Sequence, residues 1–411
     1  QFKLRGSWGE LGNQNTSNLY PFYEILPVKS NSGNWLVNGG KTNTADIPSL
    51  VSTLLTWERV RSFNVGFDFG AFSNRLTGSF DYFVRKTVDM VGPAPQLPLV
   101  LGIAPAIVNN ADMKSYGFEI ELSWRDRIGE VDYGVKFNLA DAQQKVVKYP
   151  NTTNAFNDWY AGKMSGEIWG YTSLGIAKTD EEMKEHLASL PNGGQNQLGN
   201  KWGAGDIMYA DINGDGKIDG GKGTLADPGD QRIIGNSTPR YNFGLVLDAS
   251  YKGFDVSIFF QGVGKRDYAP IVGTNGAVFW GAVNNIWQSM AMEEHFDYFR
   301  PEGHPMGANL NGYYPRPDFT SNKNHQVQTR YLQDASYIRL KNLQIGYTLP
   351  KQWINKLHIN RCRVYVSGDN LWTGTSLASM FDPETLAAGD WGSGKTYPLS
   401  KVISFGLNVN F

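Results

Sequence analysis

The sequence predicts an all-β fold, a transmembrane antiparallel β-barrel seen here as about ten strands, and three observations predict it. Apolar and polar residues alternate strictly over segments of about ten residues. The connections between those segments are short and long by turns. The last segment ends on an aromatic, Phe411. Alternation alone fits a water-soluble sandwich, with its apolar face inside, as well as a membrane barrel with its apolar face outside. The connections decide, because a barrel of the bacterial outer membrane has short periplasmic turns and long extracellular loops.

The strands lie near 1–9, 57–70, 75–88, 113–125, 131–145, 238–251, 254–262, 336–349, 361–369 and 400–411. In the fourth, Tyr116, Phe118, Ile120, Leu122 and Trp124 oppose Ser115, Gly117, Glu119, Glu121, Ser123 and Arg125. In the fifth, Val131, Tyr133, Val135, Phe137 and Leu139 oppose Asp132, Gly134, Lys136 and Asn138. The sixth sets Tyr241, Phe243, Leu245, Leu247, Ala249 and Tyr251 against Asn242, Gly244, Asp248 and Ser250, with Val246 as the exception. The tenth sets Ile403, Phe405, Leu407, Val409 and Phe411 against Ser404, Gly406, Asn408 and Asn410. The short connections are 71–74, 126–130, 252–253 and 350–360. The long ones are 10–56, 89–112, 146–237, 263–335 and 370–399, so most of the chain is surface apparatus on a membrane-embedded wall. Within the loops Thr179 is placed to cap a helix over Asp180–Leu190, with Glu182 completing a capping box, and Asn285–Phe299 is a weaker helical candidate.

Composition excludes several classes. Lys plus Arg is 38 and Asp plus Glu 39, so no basic excess exists to grip nucleic-acid phosphates. The lone Cys362 rules out an internal disulfide framework and a cysteine-based zinc site. The greasiest stretch, Val91–Val108, carries Pro93, Pro95, Pro98 and Pro105 and cannot stay helical. The chain opens inside a strand without an initiating Met, which reads as a processed N-terminus or a part of a longer polypeptide.

One local motif carries chemistry. Asp211, Asn213 and Asp215 supply oxygens at positions one, three and five of an EF-hand-type calcium loop, and Gly216 allows its sharp turn. Lys217 offers its backbone carbonyl at position seven, and Asp219 sits at position nine. Position twelve, which should be acidic, is Lys222; the insertion Gly220–Gly229 moves the missing acid downstream to Asp227 or Asp230. The expected role is structural, holding the 146–237 loop near the barrel mouth. Gly389–Thr396 matches a phosphate-binding loop but is followed by Tyr397 and Pro398 rather than a helix, so nucleotide binding is not expected. The five histidines show no metal-ligand spacing, and no catalytic constellation emerges. Among the loop tryptophans, Trp169, Trp280, Trp287 and Trp391 are candidate substrate contacts, although loop packing is the commoner role for such residues.

Several runs resemble the C-terminal half of SusC-like TonB-dependent transporters. They are Gly170-Tyr171 with Gly175-Ile176, Gly205-Asp206-Ile207 leading into Asp211–Asp219, and Asp230-x-Arg232-x-Ile234-Gly235-Asn236 with Pro239 and Tyr241. Leu11-Gly12-Asn13-Gln14, Asn110 with Met113, Gly117 and Glu119, and Tyr337–Leu343 join them. The resemblance implies that residues 1–411 are the C-terminal part, about the last ten strands, of a 22-stranded barrel whose N-terminal plug domain is not in this chain. It implies an outer-membrane importer, not an enzyme, driven by TonB through that plug, enclosed by lipid and by the N-terminal remainder of the barrel, and partnered by a SusD-like surface lipoprotein. Oligosaccharides are the implied cargo, peptides the alternative. It also favours Asp230 over Asp227 as the acid completing a calcium site at 211–230. A soluble, calcium-stabilised glycan-binding β-protein is the rival from another class; it would pack its apolar strand faces together inside.

Overall fold

The computed structural model describes the chain except residues 15–22, 49, 95–96, 99, 101, 104, 271–276, 282–291, 319–322, 355–357 and 387–396. Ten strands form one antiparallel sheet: β1 (Phe2–Asn13), β2 (Glu58–Ala71), β3 (Leu76–Gly92), β4 (Val108–Ile128), β5 (Val131–Lys148), β6 (Arg240–Tyr251), β7 (Phe254–Lys265), β8 (Tyr337–Thr348), β9 (Arg361–Thr375) and β10 (Val402–Asn410). Each pairs with its neighbour in sequence, so the sheet is a simple meander.

Register turns the alternation of each strand into two continuous faces. Leu4, Phe67, Phe80, Ile120, Leu139 and Phe243 face one another across β1 to β6. One residue along, Lys3, Asp68, Ser79, Glu121, Asn138 and Gly244 form the adjoining row. Side-chain period two puts the first row on one face and the second on the other. The apolar face is unburied: Leu4 is 72% exposed, Leu407 66% and Phe405 82%. A soluble protein would hide that face; a sheet enclosed by lipid presents it outward, which removes the soluble alternative. The polar face is cross-linked instead. Arg5 joins Asp68 at 2.9 Å and Asp81 at 2.7 Å, Asn342 donates to Asp369 at 2.7 Å, and Arg363 pairs with Asp255.

The tight connections follow their residues. Lys252 and Gly253 both take positive φ, 46° and 90°, as a two-residue hairpin between strands of right-handed twist demands. At the opposite end β3 runs to Gly92 and β4 starts at Val108, longer than alternation suggests. Register shifts between Thr87 and Met90 and between Met90 and Val91, with Asp89 at φ 56°, break the period there and hide the strand from pattern reading.

The long loops hold a second core. Tyr171, Ile207 and Tyr209 from 146–237, Phe279, Trp280, Tyr314 and Tyr331 from 263–335, and Leu377 and Phe381 beyond β9 pack into one cluster. Helix α1 (Asp180–Ala188) forms as its cap predicts, with Glu182 N–H donating to Thr179 Oγ1 at 3.1 Å. The Glu182 carboxylate, however, accepts from Lys178 N–H at 2.6 Å and not from Thr179, so the box closes one residue early. The second helical expectation, Asn285–Phe299, is corrected: its described part holds only a 3₁₀ turn, Glu293–Phe296, and 285–291 lie outside the described residues.

Candidate functional site

The acidic loop is built from its own side chains upward. Gly214 N–H donates to Asp211 Oδ1 at 2.7 Å and Gly216 N–H to Asp211 Oδ2 at 2.8 Å. Asp215 N–H donates to Asn213 Oδ1 at 3.0 Å, and Lys217 N–H to Asp215 Oδ1 at 3.2 Å. Gly214 and Gly216 take φ of +75° and +78°, which short-range turning of this tightness requires. Asp230 closes the ring from below. It is fully buried and accepts from Ile212 N–H at 2.8 Å and Asp219 N–H at 2.9 Å. Burial pushes the Asp230 carboxyl up, and the charge of Asp211 adds to that, against the pull of the backbone N–H groups of Ile212, Asp219 and Asn213. Of the two downstream acids, Asp230 is the one that accepts from the loop's backbone N–H groups.

A resident cation also stands here. Lys217 Nζ lies 2.5 Å from Asp219 Oδ2 and 3.8 Å from Asp215 Oδ2. Its hydrogen bond lowers the Asp219 carboxyl, and the Lys217 ammonium is raised in return. Among the described residues no three Asp, Glu, His or Cys side chains converge at metal-binding spacing. The loop carboxylates are instead engaged by backbone N–H donors and by Lys217.

The tryptophans separate. Trp280 is fully buried and is a core residue, not a substrate contact: its ring centroid lies 4.8 Å from that of Tyr331 and 4.5 Å from that of His325. Trp169 sits on the strand Glu167–Gly170, stacked on Phe156 with centroids 4.5 Å apart. It lines an open groove of about 420 Å³ with Asn213, Gln231 and Arg232. Trp287 and Trp391, like the phosphate-loop match at 389–396, lie outside the described residues.

Pattern reading missed the polar centre of the loop assembly. Asp206, fully buried, accepts from Arg316 Nε at 2.8 Å and Nη2 at 2.6 Å, from Lys323 Nζ at 2.9 Å and from Asn324 Nδ2 at 2.8 Å. Gly203 N–H adds a bond at 2.9 Å. This carboxylate fastens 146–237 to 263–335. Arg339 on β8 does the same for the last loop, meeting Asp382 at 2.8 Å and Glu384 at 2.7 Å. The 146–237 loop, for which a structural metal was the expected clamp, is thus also ordered by an aromatic core and a buried ionic centre. On the polar face of the wall, Asp68, Ser79, Glu121, Ser123, Lys136 and Asn138 line a hollow of about 620 Å³ that mixes hydroxyl, amide and both charges.

Known proteins share this architecture. Residues 1–371 match the family described as TonB dependent receptor-like, beta-barrel. TonB-dependent receptor P3 of Formosa agariphila is 29% identical over the whole chain, which covers 39% of that relative. TonB-dependent receptor SusC of Bacteroides thetaiotaomicron is 21% identical, again over the whole chain and 37% of the relative. The chain thus spans about two fifths of the length of these relatives. Among solved structures, the RagAB peptide transporter superposes with a TM-score of 0.71 at 23% identity, over the whole chain and 41% of its own. With its outward apolar wall, its polar inner face and its loops gathered at one end, the chain belongs to the TonB-dependent receptor-like β-barrel family of the outer membrane.

Proposed function

We propose that this chain is the C-terminal wall of a TonB-dependent importer of oligosaccharides captured together with a SusD-like surface lipoprotein. It is a transport component and not an enzyme; the energising plug and the remainder of the wall belong to the rest of the transporter. The observation that carries the cargo class is the Trp169 groove. Phe156 fixes the indole by stacking on it, and Asn213, Gln231 and Arg232 line the groove beside it. An apolar ring flanked by amide and guanidinium groups suits the ring face and hydroxyls of a sugar. The mixed, nearly balanced polar face of the wall suits a neutral cargo as well. Peptide uptake is the second reading, supported by the likeness to RagAB. Calorimetry of the detergent-extracted complex against neutral oligosaccharides and against mixed peptides separates the two. Trp169→Ala should weaken glycan binding several-fold to about tenfold. Peptide binding with no glycan heat, or glycan binding untouched by Trp169→Ala, would overturn the reading.

Calcium is a separate proposal at the acidic loop, held by Asp211, Asn213, Asp215, Asp219, Asp230 and the Lys217 carbonyl, with the Lys217 ammonium displaced from Asp219. The supporting observation is the preformed turn around Asp211, whose two oxygens already orient Gly214 and Gly216. Because Lys217 competes, binding should be weak, on the order of 10⁻⁴–10⁻³ M. Titrating Ca²⁺ by calorimetry should show Asp215→Ala abolishing the heat and Lys217→Met strengthening binding. No heat in either the wild type or Lys217→Met would remove calcium from this loop.

A further inference from the structure

The outward face ends in charge at a defined height. Trp8, Phe63, Val84 and Tyr116 are register partners across β1 to β4 and form the last apolar row towards the long loops. Two residues further along each strand, on the same face, stand Glu10, Arg61, Lys86 and Lys114, and Lys145 of β5 continues their row. No register shift falls between the two rows, so side-chain parity holds through all five strands. Glu10 neutralises the first cation, with Arg61 Nε 2.6 Å from its carboxylate. The other three have no such partner. Lys86, Lys114 and Lys145 are mutual register neighbours, and among the described residues no carboxylate stands at ion-pair distance from them. Lys114 lies over the Tyr116 ring at 5.0 Å, while Lys86 and Lys145 are exposed.

Like charges directly opposite one another on adjacent strands repel. Three in succession, roughly 5 Å apart from strand to strand, make a line of positive potential that an extended anion would relieve. The position selects the anion. The row borders the outward apolar band, on the end that carries the long loops, and so lies at the headgroup level of the outer leaflet. We propose that Lys86, Lys114 and Lys145 bind the phosphorylated headgroup of an outer-leaflet glycolipid, whose acyl chains lie against the apolar rows below. The inference rests on the outer-membrane placement of the wall and on none of the cargo arguments.

Native mass spectrometry of the protein extracted from outer membranes tests it, with bisphosphorylated lipid A as the probe. The wild type should retain that lipid, and the triple variant Lys86→Gln, Lys114→Gln, Lys145→Gln should lose about tenfold in affinity, while the matching Lys→Arg triple retains it. Lipid A stripped of phosphate should bind wild type and Gln variant alike. Heat-dependent gel mobility, which reports a closed barrel, keeps misfolded variants out of the comparison. Equal retention of bisphosphorylated lipid by wild type and Gln variant overturns the inference, as does equal retention of the stripped lipid by the wild type. Release of the lipid by millimolar inorganic phosphate alone would make the row a site for free anions, which also overturns it. A wild-type protein that never reaches the membrane fraction would instead refute the placement.

Discussion

Asp206→Ala should loosen the loop assembly by about 3–5 kcal/mol while leaving the wall inserted. The substitution removes the acceptor that Arg316, Lys323 and Asn324 share, in a place closed to water. Taking one partner from a buried ionic cluster costs that much because the remaining charges keep their desolvation penalty. Lys323 is 1% exposed, so water cannot replace the carboxylate without opening the core. Limited proteolysis should then cut within 193–203 and 301–318 faster than in the wild type. The wall is held by its own ladder of backbone hydrogen bonds, so heat-dependent gel mobility should be unchanged. Proteolysis indistinguishable from wild type would mean that the aromatic cluster alone holds the loops together. Asp206→Asn, which keeps the shape and loses the charge, should fall between the two.

Leu247→Arg and Asp248→Arg should differ sharply although the two residues are adjacent. Leu247 pairs with Val135 and Ile258 on the outward face, and Asp248 pairs with Gly134 and Ser257 on the polar one. An arginine on the lipid face costs about 2–4 kcal/mol near the midplane, whereas one on the inner face meets polar neighbours. Urea titrations in lipid vesicles should show Leu247→Arg destabilised by that amount and Asp248→Arg nearly unaffected. Equal losses would place both residues in a closed core and refute the assignment of faces.

The wall was legible in the sequence because one physical constraint acts on every second residue. Lipid on one side and water on the other force the alternation seen from Tyr116 to Trp124 and from Ile403 to Phe411, and a one-residue slip would invert it. Where that constraint lapses the pattern lapses too, as at Asp89 and Met90, where register shifts hid the end of β3. The acidic loop was legible for a different reason: Asp211 to Gly216 satisfies its own backbone within six residues. The second core left no such trace. Asp206 meets its partners 110 to 118 residues downstream, through irregular backbone with no period to betray them. For the same reason a buried tryptophan such as Trp280 and a half-exposed one such as Trp169 look alike in one dimension.

The shared core of the three long loops also governs how such proteins can exchange parts. Tyr209, Trp280 and Phe381 come from separate connections, yet they belong to one packed cluster, and Asp206 and Arg339 tie those connections together. A graft that moves one loop into a relative's scaffold would bring half of each interlocking pair and leave the other half behind. Recombination between relatives should therefore succeed when the three loops travel as a block with the strands between them, from β5 to β10, and fail when a crossover falls between β7 and β8.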